Sequence, residues 1–289
     1  MSQSKPTIGF IGLGLMGQAF TRCLCRLGYT VVGYDLQDGK ITAAAEHGVQ
    51  AAASAADLTA RADLVLICVT STDGVRAAVF GPGGVVEAAN ADKLLVDHST
   101  SIVQDTKDMA AELLERTGMG WIDAPVSGGP PAARTGSLAI MAGGADTDIA
   151  RVAPVMDDLA AQFTHMGPVG AGQVTKMINQ VLVLNNYAIL AEALAMAEAG
   201  GIDAGKIPEA LGHLVQGIIK LAGFHARPDH IDVNIVEYAG EIGQGVTEIH
   251  APLDIVRNIL NGAAQAPLRR LPRQIVQNIH QLQAAADHG

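Results

Sequence analysis

The sequence predicts an α/β fold: a doubly wound, mostly parallel sheet followed by an all-helical C-terminal domain. Three observations predict it. From residue 7 to about 166, short β-rich runs alternate with helical patterns, as in sheets covered by helices on both faces. The first of these runs ends in a glycine-rich turn that opens directly onto a helical pattern. Beyond Gly172 the strand-like runs nearly vanish, and helical patterns are punctuated by "GGIDAGKIP", "ARPDH", "APLD" and "QAPL". The chain therefore divides within "GPVGAG", giving a first domain over residues 1–168 and a second over 169–289.

The candidate strands run in order "TIGFIGL", "TVVGYD", "DLVLICV", "KLLVDHS", "MGWIDAP", "LAIMAGG" and "QFTHM". After "GAGQ" an alanine-rich, mostly apolar segment predicts a helix from about 173 to 199, roughly 40 Å long at 1.5 Å per residue. Asn185, Asn186, Glu192 and Glu198 interrupt it, so it falls short of the roughly 18 uninterrupted apolar residues of a membrane span. Its apolar surface suggests burial by its own domain and by a second subunit, so a homo-oligomer, dimer or tetramer, is expected.

The 289 residues suffice for two ordinary domains, and 49% apolar with 17% charged residues is the composition of a compact globular chain. A net charge of −10 without a basic stripe gives nucleic acid no electrostatic footing, and no membrane partner is expected. Small anionic substrates remain compatible, because one lysine and a few backbone N–H groups can oppose the global sign locally. Cys23, Cys25 and Cys68 are odd in number and lie among apolar residues, which predicts buried reduced thiols and a cytoplasmic protein. The start "MSQSKPTIGFIGLGLMGQAF" mimics a signal peptide, yet four glycines break the apolar run, and it reads better as strand and helix. His225 and His230 in "FHARPDH" read as loop residues, and no metal is expected.

The chemistry begins at "GFIGLGLMGQAF". Gly12, Gly14 and Gly17 stand in G-x-G-x-x-G spacing between a strand and a helix, and Asp35 ends the next strand eighteen residues past Gly17. Gly12 permits the tight turn, Gly14 admits a pyrophosphate to the helix N-terminus, and Gly17 lets helix and strand approach. With Leu13, Leu15 and Met16 they form a dinucleotide cradle of Rossmann-like type. Asp35 can accept hydrogen bonds from a free ribose but would repel a 2′-phosphate, and no arginine follows at Leu36 or Gln37, so NAD is favoured over NADP. Further on, Lys176, Asn179 and Gln180 fall at i, i+3 and i+4 and share one helix face. Ser127, Gly128 and Gly129 pair a hydroxyl with a glycine turn, a combination that can form an anion-binding concavity.

"GFIGLGLMG", "VDHST", "DAPVSGGPPAARTGSLAIMAGG" and "GAGQVTKMIN" occur in the order and spacing of the β-hydroxyacid dehydrogenases, which the chain resembles from residue 7 to about 200. The family includes 3-hydroxyisobutyrate dehydrogenase and tartronate semialdehyde (2-hydroxy-3-oxopropionate) reductase. The resemblance implies a Rossmann-like domain, an all-helical domain, and hydride transfer between NAD(P) and a 3-hydroxy acid or its semialdehyde. It implies that Thr70 and Thr100 line the cofactor, that Ser127, Gly128 and Gly129 hold the substrate carboxylate, that Lys176 is catalytic and that Asn179 orients the substrate. Gln180 stands where the family usually has a second asparagine. The family's later lysine-and-aspartate helical motif has its nearest candidate at Leu253-Asp254. Lys220 and Arg227 are further candidates for contact with a substrate's distal end. Related imine reductases share the glycines and the fold but usually lack this lysine. A non-catalytic dinucleotide-binding protein would not need Ser127, Lys176 and Asn179 together.

Overall fold

A computed structural model describes residues 5–203, together with 206 and 210. Lys220, His225, Arg227, His230, Leu253 and Asp254 lie outside the described residues. The chain runs β1 (Ile8–Ile11), α1 (Leu15–Arg26), β2 (Val31–Tyr34), α2 (Asp38–Ala45), β3 (Gln50–Ala51), α3 (Ala55–Arg61), β4 (Leu64–Ile67) and α4 (Thr72–Phe80). It continues through β5 (Leu94–Asp97), α5 (Val103–Thr117), β6 (Gly120–Asp123), β7 (Val126–Ser127), α6 (Gly129–Thr135), β8 (Leu138–Gly143), α7 (Asp146–Leu159), β9 (Ala160–Gly167) and α8 (Ala171–Ala199).

The strands form one sheet in the order β3-β2-β1-β4-β5-β6-β8-β7, with β9 beside β8. From β3 to β6 all neighbours are parallel; β8 runs antiparallel to β6 and β7, and β9 parallel to β8. The sheet grows outward in one direction from β1 through β2 and β3, then restarts at β4 on the other side of β1. That reversal puts the switch point at the C-terminal ends of β1 and β4, the place where open α/β sheets bind ligands.

Side-chain alternation builds a core on each face. Ile8, Phe10, Leu64, Leu66, Leu94, Val96 and Ile122 belong to one buried cluster with Phe20 and Leu24 of α1, while Ile11, Val65, Ile67, Leu95 and Trp121 belong to another with Leu58, Met109 and Leu113. Apolar residues at both parities are thus required, since each face has its own helices to bury. β3 and β7, two residues each, carry no pattern long enough to be read from sequence. Cys23 is buried, whereas Cys25 and Cys68 are only partly so, because each sits at the margin of the core; all three are free. α8 begins two residues earlier than expected and packs on β6, β8 and β9. No helix among the described residues is long and apolar enough to cross a membrane.

Candidate active site

The first loop at the switch point is the glycine turn after β1. Gly12 has φ +91°, and a Cβ there would lie 2.3 Å from the Cys68 carbonyl oxygen, so both conformation and space demand glycine. A Cβ on Gly17 would lie 1.9 Å from the Gly12 oxygen, which is how closely α1 docks on the turn. At Gly14 a Cβ would meet nothing within 4 Å: the approach to the start of α1 is open. Gly14 supplies no side-chain cap, so the helix's first N–H groups, at Leu15 and Met16, lack intrahelical acceptors and face that opening. Leu15 itself is exposed, and Leu13 is buried in the core.

Asp35 does more than end β2. Its Oδ2 accepts the Leu13 N–H at 2.8 Å and its Oδ1 the Gln37 N–H at 3.0 Å, tying the glycine turn to the end of β2. Lys40 Nζ lies 3.7 Å from Oδ1. That cation was not singled out from sequence; it stands five residues past Asp35, in the first turn of α2, the position that brings a side chain back over the strand end.

Thr70 and Thr100 follow β4 and β5, and their loops are laced together. Ser99 Oγ accepts the Val69 N–H at 3.0 Å, and Thr72 Oγ1 accepts the Ile102 N–H at 3.0 Å. Asp97 Oδ1 accepts the Ser99 N–H at 2.9 Å, while its Oδ2 is buried without a hydrogen-bond partner among the described residues. Burial, reinforced by the nearby Asp123 and opposed by hydrogen bonds from Ser99, raises the Asp97 carboxyl to about 7.

The lysine side of the site is assembled from β6, β7 and α8. Asp123, buried at the end of β6, accepts the Gly170 N–H at 2.7 Å and the Gln173 N–H at 2.8 Å, so a strand-end carboxylate caps the start of α8. Burial raises its carboxyl to about 6, against those same hydrogen bonds. The Gln173 side chain is also buried: Nε2 donates to Ser99 O at 2.9 Å and Oε1 accepts the Ser101 N–H at 3.1 Å. One turn further, Lys176 Nζ donates to Val126 O at 2.7 Å, and burial lowers its ammonium to about 8.

Val126 immediately precedes Ser127, so this bond brings the amine to the predicted anion-binding loop. Gly128 and Gly129 have φ +120° and +63°, and a Cβ on Gly128 would lie 2.6 Å from that of Ala132. Asn179, on the lysine's helix face, is partly buried, and its Nδ2 is shut off from solvent with no hydrogen-bond partner among the described residues. Gln180 is partly buried beside it. Asp123 and Gln173 lie inside motifs quoted above, yet nothing in their spacing marks them as partners; only the folded chain brings them together.

The chain also matches known proteins along most of the described length. Residues 7–167 match the model of the NAD-binding domain of 6-phosphogluconate dehydrogenase, and residues 170–213 that described as the NAD-binding domain of NADP-dependent 3-hydroxyisobutyrate dehydrogenase. The chain is 34% identical to 2-(hydroxymethyl)glutarate dehydrogenase of Eubacterium barkeri over 208 residues, 72% of this chain and 67% of that one. It is 36% identical to a probable 3-hydroxyisobutyrate dehydrogenase of Mycobacterium tuberculosis over 198 residues, 68% and 66% of the respective chains. A solved structure of M. tuberculosis 3-hydroxyisobutyrate dehydrogenase with L-serine superposes with a TM-score of 0.65 at 33% identity, covering 79% of this chain and 75% of that one.

Proposed function

The chain belongs to the β-hydroxyacid dehydrogenase family, and from that premise we propose that it moves a hydride between NAD and a small 3-hydroxy acid or its semialdehyde, with Lys176 transferring the proton. The observation that carries this reading is Lys176 itself. Its partly buried amine is held 2.7 Å from the carbonyl preceding the Ser127 loop, with its ammonium lowered to about 8. A solvated surface lysine would have neither the bond nor the shift.

The glycine turn fits a dinucleotide: the absence of a side chain at Gly12 and Gly17 lets the turn close tightly, while the space over Gly14 and the uncapped start of α1 admit a pyrophosphate. Bound there, NAD supplies the hydride acceptor for alcohol oxidation and the donor for the reverse. In oxidation neutral Lys176 takes the hydroxyl proton, and in reduction the ammonium returns it to the forming alkoxide. A group titrating near 8 holds both forms at ordinary pH. Ser127 and the backbone of Gly128 and Gly129 grip the substrate carboxylate, and the unpaired Asn179 amide donates to the substrate. Gln180, one methylene longer than asparagine, narrows the room beside it. Thr70 and Thr100 flank the cofactor at the ends of β4 and β5.

NAD is placed ahead of NADP because the Asp35 carboxylate meets the adenosine ribose, although Lys40 offsets part of its charge. The substrate placed first is 3-hydroxyisobutyrate or a similarly small branched acid, and second tartronate semialdehyde. L-serine, in the M. tuberculosis structure, is itself a 3-hydroxy acid. Residues 169–289 are the substrate and oligomerisation domain in this reading. The test is a panel of short 3-hydroxy acids and their methyl esters with NAD and NADP, followed by nicotinamide absorbance. Acids should exceed esters in kcat/KM by some 30-fold to several thousand-fold, since an unmatched buried charged hydrogen-bond set costs about 2–5 kcal/mol. An ester that turns over as well as its acid overturns the carboxylate assignment.

A further inference from the structure

Two residues outside that reading hold the lysine and the cofactor loop in a single frame. Gln173 lies one helical turn before Lys176, about 4.5 Å along the axis at 1.5 Å per residue. Its amide is used at both ends, on Ser99 O at 2.9 Å and Ser101 N at 3.1 Å, so it brackets Thr100. The Gln173 backbone N–H is bound at 2.8 Å by Asp123, whose other oxygen takes Gly170 N–H at 2.7 Å. Three residues past Asp123, the Val126 carbonyl takes Lys176 Nζ at 2.7 Å. The short segment Asp123–Val126 therefore anchors both the root of the lysine's helix and the tip of its side chain, and Gln173 fastens the same helix to the loop carrying Thr100.

We propose that Gln173 and Asp123 are positioning residues which set the place of the Lys176 amine relative to the loop 99–101 that carries Thr100. The proposal rests on Lys176 being the proton-transferring group. Proton and hydride transfer must be served together, and a misplacement of about 1 Å can cost some 100-fold in rate. A residue that pins both sides of the reacting centre governs that geometry without touching the substrate. If Asp123 and Gln173 merely satisfied buried polar groups, their loss would lower stability and leave the chemistry of the folded fraction intact.

The experiment compares Gln173→Met, which keeps length and removes both amide bonds, with Lys176→Ala and the unmodified full chain. Steady-state kinetics give kcat and KM, melting gives stability, and Trp121, the chain's one tryptophan, reports NADH binding by fluorescence. In cofactor-free protein, the pH dependence of trace acetylation at Lys176, read by mass spectrometry, gives the pKa of its amine. Gln173→Met should lower kcat by about 10- to 100-fold with NADH affinity and substrate KM within about threefold. The Lys176 ammonium should rise from about 8 toward its ordinary 10.4 as water reaches it. Asp123→Asn, which keeps a carbonyl oxygen for one of the two helix N–H groups, should shift the same quantities in the same direction and carries the test if the Gln173 variant does not fold. An unchanged lysine pKa overturns the proposal, whether kcat holds within twofold or falls only with the folded fraction. If Lys176→Ala keeps its kcat, the proton-transfer reading itself fails; if it loses activity while Gln173→Met does not, only the positioning role fails.

Discussion

The cofactor turn and the lysine site are built on different length scales. The turn is local: Gly12, Gly14 and Gly17 share one loop, and the bond that ties Asp35 to it spans 22 residues of chain. The lysine site is not: its bonds join residues 47, 50, 72 and 74 apart, from Asp123 to Gly170, Val126 to Lys176, and Ser101 and Ser99 to Gln173. Binding chemistry can thus be carried by a motif that is nearly self-sufficient. The proton transfer proposed for Lys176 needs a side chain in an unusual environment, and only several chain segments meeting together can make one.

The largest expected effect separates the two regions. Lys176→Ala should lower kcat by about 10²–10⁴-fold, the usual worth of general acid–base catalysis, while a fluorescence titration with NADH finds the cofactor turn intact. If NADH binding collapses with kcat, the two regions are not independent. The pH profile sharpens the same contrast. Below the value near 8 set by burial, the fraction of neutral Lys176 falls about tenfold per pH unit, so kcat/KM for oxidation should fall with it; reduction, which needs the ammonium, should fall above that value. An oxidation profile flat between pH 6 and 8 would remove the lysine from proton transfer.

Asp97 lies where the regions meet, and its effect is on stability. Its folded carboxyl, raised to about 7, holds a proton more tightly than the unfolded one near 3.9. The folded state therefore binds more protons between those values, and stability falls as pH rises through that window. Asp97→Asn keeps an oxygen for the Ser99 N–H and cannot ionise, so the loss of Tm between pH 5 and pH 8 should shrink by a few degrees; Asp123, raised to about 6, still lowers stability as pH rises, while His98, lowered by burial to about 4, raises it as pH climbs toward 6.5. An unchanged slope would mean that Asp97 does not titrate in that range. The smallest effect belongs to the cofactor turn alone. Lys40→Ala should widen the preference for NAD over NADP by about two- to fivefold in kcat/KM, the scale of a partly exposed charge pair. A narrowed preference would show that Lys40 acts on something other than Asp35.

Much of this molecule is legible in its sequence. The seven β-rich runs all became strands, the last strand ends and the long helix begins within "GPVGAG", and the G-x-G-x-x-G glycines form the turn between β1 and α1. These are short-range properties: hydrophobic period, turn chemistry and spacing along one strand-turn-helix unit are written in consecutive residues. Tertiary structure alone decided the rest. β3 and β7 are too short to carry a period and exist because neighbouring strands pair with them. Lys40 meets Asp35 only once α2 folds back over the strand end. Asp123 caps a helix that begins nearly fifty residues later, Gln173 brackets Thr100, and the lowered Lys176 ammonium exists because burial in the closed fold takes it out of water. Burial and long-range hydrogen bonding are properties of the closed fold, and the same lysine in an unfolded chain would be an ordinary cation.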